Sequence, residues 1–234
     1  MKTLAFFLLF LTASCTVTRA QEWFHAFPDT ASLLRAGAEL GKDFEKEVKA
    51  IDQTVAFVVP KVKFDAMGPY YLPQENTVFL PQWQLAPEFF KEFCAELAGG
   101  AAEGEKIFGL FFNGFYVPHE LGHALQFAAN NRADNEYDNE YVANCLGLLY
   151  WRKKGKSKEL EECYNFCKQA LTKIKNPIPP NEDVKAYFTL HYEEFGQDPY
   201  KYSYIQLSQF MMAYEDTRQT NFEEYVGNVI LKKK

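Results

Sequence analysis

Histidine is scarce in this chain, with four in 234 residues. Positive charge is also in deficit: 25 Lys plus Arg stand against 31 Asp plus Glu, a net charge of −6. A general nucleic-acid binder needs a basic face to neutralise phosphates, so that class is excluded. Past residue 20 no apolar run approaches the ~20 residues of a membrane-crossing helix. Glycine and proline, 13 and 11, are too few for a collagen-like or low-complexity chain, and no internal repeat is visible. Five cysteines are too few for a disulfide-stapled scaffold of this length. What remains is a globular balance of 47% hydrophobic and 24% charged residues. Aromatics reach 17%, with 22 Phe and 14 Tyr, so the core is expected to be built largely from rings.

The first twenty residues read as an export leader. Lys2 is the basic start, and Leu4 to Leu11 is an unbroken apolar stretch of signal-peptide length. Two exits are readable. Thr18-Arg19-Ala20 is a small-residue cleavage site before Gln21, and Leu11 to Cys15 is similar to a bacterial lipobox that would lipidate Cys15. Either places the protein outside the cytoplasm: periplasmic, extracellular, or anchored to a membrane through that lipid. Removal of residues 1–20 takes away Lys2 and Arg19 and no acid, leaving −8. Cys94, Cys145, Cys163 and Cys167 then remain. In an oxidising compartment four cysteines permit three pairings, and spacing does not choose among them. Cys163 and Cys167 share a helix face, which reads as packing rather than a metal clip.

Residues 21–234 are expected to form one mostly helical α+β domain. Gln21 to Thr54 reads as an exposed lead-in followed by a helix, on the spacing of Leu33, Leu40, Phe44, Val48 and Ile51. Thr54 to Val59 is β-rich and stopped by Pro60, and Val62 to Phe64 alternates. Tyr70 to Leu72, a Pro73-Gln74-Glu75-Asn76 turn and Thr77 to Leu80 spell strand, turn, strand. Helical patterns follow at Pro87–Ala98 and Glu105–Ala129, the second kinked where the Pro118 ring meets the Gly114 carbonyl. Others follow at Asn139–Lys154, Ser157–Lys175, Glu182–Phe195 and Tyr202–Glu215.

One motif carries chemistry: His119-Glu120-Leu121-Gly122-His123. On a helix the two imidazoles lie one turn apart and face the same way, so they can grip one Zn²⁺. Glu120 is placed to move a proton without being a ligand. Apolar sequence flanks the motif on both sides, and polar groups buried in such a helix need a partner. A catalytic site wants a third ligand and an open position. His25 and His191 do not follow at the short spacing of a third histidine, so a carboxylate on the next helix is expected. Glu136, Asp138 and Glu140 are the candidates. The first helix climbs roughly 9 Å from His123 to Ala129 at 1.5 Å per residue, and an antiparallel return must descend as far. Glu140 lies deepest. Ala143, Asn144 and Gly147 follow on its face, where small side chains let the helices approach and Asn144 can support the site.

HELGH with Glu140-Tyr-Val-Ala-Asn144 downstream resembles a zincin metallopeptidase of the gluzincin kind, over roughly Pro69 to Trp151. It is similar to small bacterial families with HELGH and a following E-x-x-A-[DN]; many gluzincins carry Asp where this chain has Asn144. The resemblance implies a small antiparallel sheet beside the HExxH helix. It also implies that Thr77 to Leu80 is the strand that pairs with extended substrate. It implies an oxyanion donor from the C-terminal half as well: His191, with Tyr202 and Tyr204 as competitors.

The expectation is thus an exported zinc metallopeptidase acting on peptides or proteins. His119, His123 and Glu140 would hold one Zn²⁺, Glu120 would be the general base, and His191 would assist. The rivals are an exported binding protein with a structural or vestigial zinc site, and a metallohydrolase of non-peptide amides.

Overall fold

The computed structural model describes residues 23–218 and 221–232. The leader, its cleavage sites and Cys15 lie outside the described residues. No described helix is long and apolar enough to cross a membrane.

The protein is mostly helical, with one small sheet. Helix α1 (Thr30–Ile51) opens on Asp29, whose carboxylate accepts from the Ser32 amide. The strands β1 (Lys61–Phe64), β2 (Tyr70–Leu72) and β3 (Thr77–Leu80) follow. Next come α2 (Glu88–Ala98), α3 (Ala101–Leu110), α4 (Tyr116–Ala128), α5 (Glu136–Lys153) and α6 (Ser157–Ala170). The chain continues with α7 (Val184–Leu190), α8 (Tyr192–Gly196), α9 (Pro199–Glu215) and α10 (Phe222–Tyr225).

The sheet differs from expectation. Its order is β1-β3-β2, with β3 parallel to β1 and antiparallel to β2. It is mixed rather than antiparallel, and Thr77–Leu80 is its centre rather than its exposed edge. Burial explains this: Thr77, Val78 and Leu80 are each at most 1% exposed, so both sides of that strand are covered. The edge falls to β2. The β-rich run Thr54 to Val59 forms no strand, and pairing begins after Pro60, where the Lys61 amide donates to the Asn76 carbonyl. The lead-in is not exposed either. Trp23, Phe24 and Phe27 are buried, and Trp151 packs against Trp23 and Phe24.

The kink before the motif helix is real but sits earlier than Pro118. Phe111–Phe115 winds as a π-helical segment, with Asn113 at φ −113° and ψ 28°. The wider turn frees the Gly114 carbonyl, which Pro118 has no N–H to satisfy, and the Trp151 indole donates to it at 3.1 Å. Asn113 is locked at the same place: its Nδ2 donates to the Pro81 carbonyl at 2.9 Å and its Oδ1 accepts from the Phe27 amide. The π segment therefore ties the motif helix to the sheet and to the N-terminal aromatics.

Helices α4 and α5 pack antiparallel with unusually small side chains between them. A Cβ on Gly147 would lie 3.2 Å from the His119 backbone nitrogen, and one on Gly122 3.1 Å from a Leu146 methyl. Bare glycine at both positions lets α5 bring its side chains level with the motif. A ring-rich core surrounds the pair, joining Phe44, Phe108, Phe111, Phe115, Tyr150 and Phe210. The four described cysteines are buried and unbridged.

Candidate metal centre

The geometry begins with helix periodicity. His119 and His123 project from one face of α4 with ring centroids 4.8 Å apart. Glu140 enters from the first turns of α5, level with both. Its Oε2 lies 3.3 Å from His119 Nε2 and 3.5 Å from His123 Nε2. The three ligand atoms fall within 4.8 Å of one another. Tetrahedral zinc with bonds of ~2.0–2.1 Å separates its ligand atoms by about 3.3–3.4 Å. The two carboxylate-to-imidazole separations match that edge length, so the arrangement suits a small divalent cation.

Both imidazoles are oriented from behind. His119 Nδ1 is 3.1 Å from Asn144 Oδ1, and His123 Nδ1 is 3.1 Å from Gln126 Oε1. An amide oxygen can only accept, so each Nδ1 carries a proton and Nε2 is the ring atom each histidine can offer to a metal. Gln126 Nε2 in turn donates to the Asn139 carbonyl at 3.4 Å. Glu140 is held as firmly. Tyr192 donates to Oε1 at 2.7 Å and Gln206 Nε2 to Oε2 at 2.7 Å.

The electrostatics favour a cation. Burial raises the Glu140 carboxyl, but the two histidines outweigh it and hold it well below its ordinary value. Burial alone would lower His123, yet the adjoining Glu140 and Glu120 carboxylates lift it to about 9. Glu120 is 6% exposed, and burial keeps its carboxyl above the usual range. It lies 4.0 Å from His119 Nε2, and Tyr71 on the outer edge of β2 borders the same cleft.

Above these groups is a cleft of about 250 Å³, walled by Tyr70, Tyr71, Glu120, His123, Phe127 and Tyr202 among others. Arg132 stands at its rim, bonded to Glu136 at 2.7 Å and stacked on Phe127. Two of the three carboxylate candidates are thus engaged elsewhere: Glu136 with Arg132, and Asp138 with Lys185 at 2.8 Å.

His191 is not brought to this site. It caps the end of α7, where its Nδ1 meets Glu194 at 3.1 Å and its ring stacks on Tyr187. The next residue, Tyr192, starts α8 and turns inward to Glu140. The two tyrosine competitors separate. Tyr202 lines the cleft with its ring centroid 6.3 Å from that of Tyr192, whereas Tyr204 faces a groove beside Pro179. The sequence points to the His191-Tyr192 pair but favours the wrong member, and it gives no notice of Gln206 and Gln209; polar glutamines inside the apolar pattern of α9 were the available signal, since both are buried.

No family model, curated protein or solved structure matches this chain.

Proposed function

We propose that the protein is a zinc-dependent, zincin-like metallopeptidase acting on extended peptide or protein segments. The observation that carries the reading is the convergence of two inward Nε2 atoms and one carboxylate oxygen at zinc-ligand spacing, with a buried glutamate beside them. Two histidines and a carboxylate are the donor set of a catalytic zinc site with a position left open.

A Zn²⁺ held by His119, His123 and Glu140 supplies Lewis acidity, polarising a carbonyl and acidifying water. The protein's own groups do the rest. Glu120, with its raised proton affinity, takes the proton from the attacking water and returns it to the leaving amine. The free edge of β2 offers backbone groups to an extended substrate lying across the cleft. Tyr202, which lines the cleft beside Glu120, donates its hydroxyl to the carbonyl oxygen as that oxygen gains charge.

The test is incubation of the mature chain with a mixed peptide library, with and without a chelator, alongside Glu120→Gln and Glu140→Ala. Cleavage should stop with chelator. Glu120→Gln should keep zinc and lose turnover, and Glu140→Ala should lose zinc. Chelator-resistant cleavage, or full activity in Glu120→Gln, would refute the reading.

A further inference from the structure

Behind the metal centre lies a closed circuit of hydrogen bonds that α9 completes. Asn144 Oδ1 meets His119 Nδ1 at 3.1 Å. Its Nδ2 donates at 3.1 Å to Gln206 Oε1 and at 3.1 Å to Gln209 Oε1. Gln206 Nε2 donates to Glu140 Oε2, and Gln209 Nε2 to the Tyr137 carbonyl at 2.8 Å. All three amides are at most 2% exposed, so no water competes for these positions.

The direction of each amide is fixed from its outer end. A carboxylate and a backbone carbonyl only accept, so Gln206 and Gln209 must turn their NH₂ groups toward Glu140 and Tyr137. Both then present a carbonyl oxygen to residue 144. That residue must give two hydrogens to the glutamines and accept one from His119. Asparagine meets all three demands. A carboxylate offers no hydrogen, and a protonated carboxyl offers one where two are needed.

We propose that Gln206 and Gln209 are positioning residues for the metal centre. They lock the Asn144 amide, and through it the His119 tautomer, so that an amide rather than a carboxylate is required at position 144. The proposal rests on the metal reading above. It has an unexpected consequence: Asn144→Asp, which installs the residue many gluzincins carry, weakens this site instead of improving it. The new carboxylate would face two amide oxygens that cannot turn away.

The experiment measures the zinc dissociation constant by competition with a chromophoric chelator. It compares the unaltered protein, Asn144→Asp, Gln206→Met, Gln209→Met and the double variant Asn144→Asp/Gln209→Met. Asn144→Asp should bind zinc ~10- to 100-fold more weakly, the range typical when a ligand's outer partner is lost. The double variant should bind more tightly than Asn144→Asp alone, because one opposing oxygen is gone. A packing role for Gln209 would instead make the double variant worse. Zinc binding by Asn144→Asp as tight as by the unaltered protein, or no recovery in the double variant, would overturn the proposal. Should Asn144→Asp lose its cooperative melt, the single glutamine variants decide: weaker zinc binding in Gln206→Met supports the circuit, and unaltered affinity in both overturns it. An unaltered protein that binds no zinc at all would overturn the metal reading itself, and this proposal with it.

Discussion

Tyr202 and Tyr192 lead from the cleft to the Glu140 carboxylate. Tyr192 donates to Glu140 Oε1, and burial followed by the Glu140 charge drives its own proton affinity far up, so it remains a donor at any working pH. Tyr202, the outer member, borders both the cleft and the pocket beside His119 and Glu120. Removing its hydroxyl should therefore leave zinc in place and depress turnover. Tyr202→Phe is expected to lower kcat by ~10²-fold, the scale for loss of one oxyanion donor, with KM little changed. Steady-state kinetics on a cleaved peptide, with zinc content measured in parallel, check this; loss of zinc in Tyr202→Phe would make the residue structural instead. At this scale legibility follows sequence distance. His119, Glu120 and His123 could be read because helix periodicity alone brings them together. Glu140 was reachable by rise arithmetic across one turn. Tyr192 and Gln206 are 52 and 66 residues from Glu140, and no local pattern carries information across that gap.

Among the elements, β3 tests how strand position is decided. Its sequence Thr-Val-Phe-Leu and the turn before it are readable, and the pairing with β2 follows from that turn, Tyr71 opposite Val78. The parallel pairing with β1, Val62 opposite Val78, has no local signature, because chain that comes between the two strands in sequence has to lie outside them in space. For the same reason the Thr54 to Val59 run misleads: strand composition without a neighbouring ladder leaves it outside the sheet. The π segment was half legible, since Pro118 announced a disturbance, while the Trp151 donor that accommodates it comes from another helix. Proline at a central strand loses ladder bonds and here also the burial of Val78, so Val78→Pro should cost roughly 3–5 kcal/mol. For a chain of this size that is a fall of ~10 °C or more in Tm. Thermal melting followed by far-UV circular dichroism reads it directly, and an unchanged melt would mean that β3 lies at an edge.

On the scale of the whole molecule, the two ends of the described chain are fastened to the back of the site helix by charge. Lys153 and Lys154, at the end of α5, reach Glu47 at 2.6 Å each. Lys154 also reaches Asp43 of α1 at 2.5 Å, and Lys153 pairs with Glu223 of α10. Beneath them Phe44, Tyr150 and Phe222 form a ring cluster with centroids 5.3 to 5.8 Å apart. The same α5 carries Glu140 and Asn144 at its other end, so fastening α1 and α10 to it helps hold the Glu140 carboxylate in place. Burial raises the Glu47 carboxyl, but hydrogen bonds and charge from Lys153 and Lys154 bring it below the ordinary value near 4.5. A carboxyl depressed on folding stabilises the native state fully above that value, and the contribution is lost as pH falls through the folded one. The Glu47 side chain is 17% exposed and shares Lys153 with Glu223, which is 48% exposed, so solvent screening keeps the contribution to ~1 kcal/mol. Glu47→Gln should therefore be about 1 kcal/mol less stable than the unaltered protein at pH 7. The deficit should shrink as the medium is acidified below pH 4.5 and vanish once Glu47 is protonated in both states, because glutamine then replaces a neutral acid. Urea titrations at a series of pH values measure that difference. A deficit that persisted unchanged into strong acid would show that Glu47 acts through packing rather than charge.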